Sequence, residues 1–366
     1  MIKKVIFPLF LLLSVTLLYT LLFPTKLYNT NIFLISQIID TTSNLAQSQE
    51  DTEVDGYYIS ENECGFFKFN FDNNGNGKII NKIMLDENKR LEANKYFYAT
   101  YEKVGNNISL FLPNGVKIKD IETPCYPYII DDIQKVYFIK TNGTGFIVYN
   151  IEGEKMFSDV DYSSFITSIS GDYIGYTLVS NMDGISYLYT NEGEVIFENR
   201  IDSDHSKYVY TKGNTIDKDG KYMAIWSGIE PEYIEIFQKR TGNKVAKIET
   251  NTNLRYKPIM EFKKNRLYYE GKNKFEYYDI INKKNGKGLD YTGELKEINF
   301  SNDGSILVLS RDDKASYLSL YSESGLKYFY KEFSKIEIDN VRFVDKKSFY
   351  FRMDNRIIKM SAKESA

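Results

Sequence analysis

Apolar and polar positions are distributed in two regimes along this chain. Val5 to Phe23 is a predominantly apolar run of 19 residues without a charge, which as a helix would span roughly 28 Å, close to the hydrocarbon thickness of a bilayer. From Gly56 onward the pattern changes to runs of four to seven alternating, β-branched or aromatic residues, such as YFYATY (96–101), KVYFIK (135–140) and SYLYT (186–190), each bounded by Gly, Asn and Asp clusters. No stretch in this second part holds a helical period, so it reads as all-β.

The punctuation of those runs is itself periodic. Glycine turns fall at Gly77, Gly115, Gly153, Gly193, Gly242, Gly286 and Gly325, spaced by 38, 38, 40, 49, 44 and 39 residues. A period of about 40 with several strands per unit predicts the blades of a propeller. A lone four-stranded blade cannot cover both of its faces; stacking does so, and closing the ring removes the two exposed ends. The chain after the linker accommodates seven or eight four-stranded antiparallel blades, with eight preferred. The first unit (GYYI, GFFKFNF, KIINKIM) and the last (VRFV, SFYFRM, RIIKMS) each read as one strand short, so the terminal sheets are expected to meet and close the ring.

FSNDGSILVLS (300–310) and TIDKDGKYMAIWS (215–227), with SISGDYIGYTLVS (168–180) as a degraded copy, resemble the inner-strand motif of WD40-like and TolB-type propellers. The resemblance implies the fold. It carries no activity, because propellers are reused for unrelated functions.

The first segment sets the expected topology. The apolar run is longer than the core of a secretory signal and Phe23-Pro24-Thr25-Lys26 follows it without a small-residue cleavage site, so it reads as a retained signal anchor. Lys3 and Lys4 outweigh Lys26, which keeps the amino terminus in the cytoplasm and exports the remainder. The expected division is therefore an anchor at 1–24 with residues 5–23 in the membrane, a juxtamembrane segment and linker at 25–54, a propeller at 55–361 and a tail at 362–366. Within the second part, residues 32–39 read as a short helix at the membrane surface, a helical stalk or a strand packed on the domain.

Composition narrows the chemistry. With 31 Tyr and 24 Phe against one Trp and 7 Pro, β-formers dominate. A net charge of -3 leaves no broad basic field for nucleic acid. A single histidine, His205, and two distant cysteines, Cys64 and Cys125, exclude an ordinary zinc site. His205 sits between acidic neighbours and reads as a solvated loop residue; no G-x-S-x-G elbow is present. The cysteines are assigned to different blades and are expected to stay unbridged.

FDNNGNGK (71–78) matches the front half of a calcium loop from Asp72 to Gly77, but the late ligand positions are Ile80 and Ile83, so a hairpin turn is the better reading. No metal, cofactor or catalytic residue is expected.

One surface pattern points to a partner. Asp159, Asp161 and Tyr162, then Asp202, Asp204 and Tyr208, then Asp290 and Tyr291 repeat an Asp and Tyr theme where one blade passes to the next. Tyrosine supplies contact area and carboxylates select cationic partners. The expected function is a membrane-anchored, periplasmic or otherwise extracytoplasmic scaffold for envelope proteins, as in envelope assembly, secretion or a flagellar motor accessory. The alternatives are a hydrolase or lyase, or a ligand sensor, working at the mouth of the central channel.

Overall fold

The structure is a computed structural model, and it describes residues 33–42, 53–70, 76–201, 208–250, 252, 258–272, 274–286 and 288–362. These form eight antiparallel sheets. In chain order, blades 1 to 8 cover residues 56–84, 89–122, 125–161, 166–200, 208–250, 260–290, 294–334 and 338–362. Eight separate apolar clusters fill the eight gaps between successive blades, including the gap between blades 8 and 1. Eight is thus the blade number, and the ring is closed.

Blade stacking explains the sequence pattern. Strands Thr177–Asn181, Ile306–Arg311 and Ala315–Tyr321 are buried along almost their whole length because both faces touch a neighbouring blade. In blades 2 to 8 the first strand is innermost, and the chain then steps outward. Turns from first to second and from third to fourth strand open on one face of the ring, here the turn face. The other connections, including those between blades, open on the opposite linker face.

The resemblance motifs occupy inner hairpins. Ser301 to Ser305 joins the first two strands of blade 7, where Asp303 accepts the Ser305 N–H (3.0 Å) and Gly304 has φ +92°. Turns with positive φ also fall at Gly115, Gly153, Gly193, Gly242 and Gly325. Gly286 departs from the expected series. The outer strand of blade 6 is split into Lys284–Asn285 and Leu289–Asp290, and Gly286 lies at the break, where any Cβ would fall 1.8 Å from the Tyr277 ring. The calcium-like stretch lies largely outside the described residues.

Closure is achieved differently from a simple meeting of two short sheets. Phe33–Asp40, expected within a juxtamembrane segment, is a strand that pairs with Arg356–Ala362 and completes blade 8. The propeller therefore begins before residue 55. The physical reason is burial: Ile39 is 2% exposed between Tyr350, Ile357 and blade 1, and Phe33 packs on Phe329 and Phe349 with ring centroids 5.3 Å apart.

Blade 1 remains three-stranded among the described residues. Its Gly56–Ile59 strand starts beside the Lys346–Lys347 turn and ends beside Asp339, so it runs in the sense of a second strand, and among the described residues no innermost strand covers it. The Ser60 N–H donates to Glu63, which turns the N–H and C=O of Tyr57 and Ile59 toward the uncovered edge. Side chains of blade 8 satisfy them. Ile59 donates to Asn340 Oδ1 (3.0 Å) and accepts from its Nδ2 (3.1 Å), while the Tyr350 hydroxyl donates to Tyr57 O (3.1 Å) and accepts its N–H (3.4 Å). A carboxamide has the same donor and acceptor as a peptide group, so Asn340 stands where a strand would be.

Candidate functional site

A cavity of about 960 Å3 opens at the axis on the turn face. It is built from the inner turns of several blades. The turn of blade 3 carries Asp131 and Asp132, and Asp132 sits at φ +63°, a left-handed conformation that Asp tolerates better than most residues. Lys95 comes from the equivalent turn of blade 2, Lys218 from blade 5, and Glu261 and Arg342 from the inner strands of blades 6 and 8.

These groups meet one another across the channel. Asp132 lies 3.2 Å from Lys95 and 3.0 Å from Lys218, and Lys218 lies 3.9 Å from Glu261. Arg342 reaches Asp131 at 3.1 Å and Glu297 at 3.6 Å, with its guanidinium 5.4 Å from the Tyr57 ring. The Tyr57 phenol donates to Asp131. Blade 3 is thereby connected to blades 1, 2, 5 and 8 through two adjacent carboxylates.

The ionisation behaviour follows from that geometry. Burial alone would raise the Asp132 carboxyl, but Lys218 and Lys95 hold it below the ordinary carboxylate range. For Glu261 burial outweighs Lys218 and the carboxyl is raised. Burial would lower Lys218, yet Glu261 and Asp132 raise it. Asp131, Asp132 and Glu261 are each met by a cation, so these groups cross-link the ring. Among the described residues no group of His, Cys, Asp or Glu is placed to hold a metal.

The residues singled out from the sequence lie elsewhere. Asp159 and Asp161 are exposed on the outer strand of blade 3, paired with Lys155 (2.5 Å) and Lys140 (2.7 Å). Tyr162 is half-buried, bonded to the Tyr189 hydroxyl at 2.7 Å and stacked on Tyr187. Asp290 is exposed at the end of the outer strand of blade 6, and Tyr291 packs partly into the gap between blades 6 and 7. Asp202, Asp204 and His205 lie outside the described residues, and Tyr208 begins the inner strand of blade 5. The described positions among them belong to blade ends on the linker face, away from the axial cavity.

The sequence shows little sign of the axial cluster because its members are ordinary charged residues of inner turns and inner strands. The one available signal was the paired acid Asp131-Asp132 in a first turn. Cys64 and Cys125 are buried free thiols in different clusters, one between blades 1 and 2 and one between blades 2 and 3.

Eight radial sheets around a polar, ion-paired axis define an eight-bladed β-propeller. A family model described as "beta-propeller protein" matches residues 1–366, and the chain belongs to that family. Among solved structures 1517 chains match. One is the crystal structure of BamB from Moraxella catarrhalis, at 11% identity and a TM-score of 0.57, covering 90% of this chain and 100% of that one. At that identity the likeness is one of fold. None of the curated proteins compared with this chain matches it.

Proposed function

We propose that this chain is a membrane-tethered extracytoplasmic propeller that serves as a protein-binding scaffold in a cell-envelope assembly. The observation that carries the reading is the junction of tether and ring. The strand that closes the propeller starts at Phe33, with nine residues between it and the end of the apolar run at Phe23. The tether and the closure of the fold are one continuous piece of chain. Lys3 and Lys4 before the run favour export of the chain beyond it.

A scaffold also fits the axis. Asp131, Asp132, Glu261, Lys95, Lys218 and Arg342 are directed at one another, which leaves the broad faces and rims of the ring for partners. The exposed carboxylates Asp159, Asp161 and Asp290 on the linker face are the first candidates for contact with a cationic partner.

Two experiments test the reading. A reporter fused after Ala366 is expected to behave as exported, and cytoplasmic activity of the fusion removes the localisation. Affinity capture from gently solubilised membranes is expected to return a stoichiometric protein partner, weakened when Asp159, Asp161 and Asp290 are changed together to Asn. Recovery of the propeller alone counts against the scaffold.

A further inference from the structure

The outer strand of blade 8 differs from the others in kind. The outer strands of blades 1 to 5 and 7 each carry at least two charged side chains. Charge on an edge strand is the usual protection against unwanted pairing or burial. Phe33–Asp40, FLISQIID, carries none before its last residue. Leu34, Ile35 and Ile38 are instead 50%, 58% and 51% exposed, three large aliphatic side chains within five residues on an open sheet edge.

The position of this strand in the chain says what covers it. Residues 24–32 lie between the apolar run and Phe33, and nine residues fully extended reach at most about 30 Å. If the run spans a bilayer, the edge of blade 8 is held within that distance of the lipid surface. Exposed aliphatic side chains on an edge without charge, held this close to a bilayer, have the composition of a surface that rests in the headgroup and upper acyl region.

We propose that the rim of blade 8 is a membrane-seating surface, with Leu34, Ile35 and Ile38 in the lipid interface. The inference rests on the tether reading and adds an orientation to it. The propeller stands on one blade edge, and the opposite blade, blade 4, points away from the bilayer.

The test uses the full-length protein in vesicles of phosphatidylethanolamine and phosphatidylglycerol. Single cysteines at Ile35, at Ile38 and, as control, at the exposed Ile196 on the outer strand of blade 4 are labelled with an environment-sensitive fluorophore. Cys64 and Cys125 are buried, and unlabelled wild type checks that they stay silent. Lipids carrying nitroxide on the acyl chain are expected to quench the Ile35 and Ile38 labels several-fold more than the Ile196 label, and aqueous iodide to show the reverse order. Equal iodide access at all three sites in protein that floats with the vesicles overturns the seating surface and leaves the tether standing. Shielding of Ile35 and Ile38 from both quenchers assigns the edge to a protein and likewise overturns it. Protein that does not float overturns the tether and this inference together.

Discussion

At the scale of single residues, Glu92 and Asn340 show how the ring handles polar groups it cannot expose. Glu92 lies half-buried on the inner strand of blade 2, and burial raises its carboxyl from 4.5 to about 7. The folded state therefore binds the proton more tightly than the unfolded chain, so the stability linked to Glu92 is present below pH 4.5 and is lost as pH rises to about 7. Glu92→Gln is expected to raise the melting temperature by about 2 °C or more at pH 8 and to leave it unchanged at pH 4, as read in melting curves at the two pH values. A mutant with the same gain at both would rule out titration as the cause.

Asn340 has φ +53° and uses its side chain to satisfy Ile59. Asn340→Ala loses both hydrogen bonds and strains the backbone; Asn340→Gly loses only the bonds. The expected costs are about 3 and about 2 kcal/mol, measured by urea unfolding. If both variants unfold like the wild type, the carboxamide is not the cap of blade 1.

At the scale of elements, the decisive piece is the strand Phe33–Asp40. It supplies the fourth strand of blade 8 and, through Ile39, part of the core shared with blade 1. Ile39→Ala is expected to cost about 2–4 kcal/mol. It should also lower amide-exchange protection first along Arg356–Ala362, the strand to which it is paired. Loss of protection spread evenly over all blades would instead mean that closure is not a local event. The glycine turns are a counterpoint at the same scale. Five of them are real left-handed turns, whereas Gly286 is glycine because the Tyr277 ring occupies the space a side chain would need.

At the scale of the whole molecule, Arg342 ties blade 8 to blades 3 and 7 across the axis. Arg342→Met leaves Asp131 and Glu297 without that cation and is expected to cost about 2 kcal/mol, discounted for their partial exposure. The single tryptophan, Trp226, is fully buried in blade 5, far along the ring from the substitution. Its fluorescence and the far-ultraviolet dichroism should shift to the same lower midpoint, as expected if the ring unfolds as a unit. Separate midpoints would show that blades 5 and 8 unfold independently.

Local chemistry made much of this legible in advance. Alternating β-branched and aromatic runs specify strands, and glycine and asparagine specify where the chain turns. A 40-residue repeat of both specifies stacked blades, because a strand buried on two faces must be apolar on two faces. What the tertiary structure alone decided is everything that depends on residues far apart in the chain. Phe33–Asp40 is a strand because Ala362 and Arg356 lie beside it, more than 300 residues away. The axial cluster exists because ring closure brings Asp131, Lys218 and Arg342 to one axis, and nothing in their immediate neighbours distinguishes them from solvated charged residues. Pattern reports which surfaces each segment must bury, while the partner that buries them is chosen only when the ring closes.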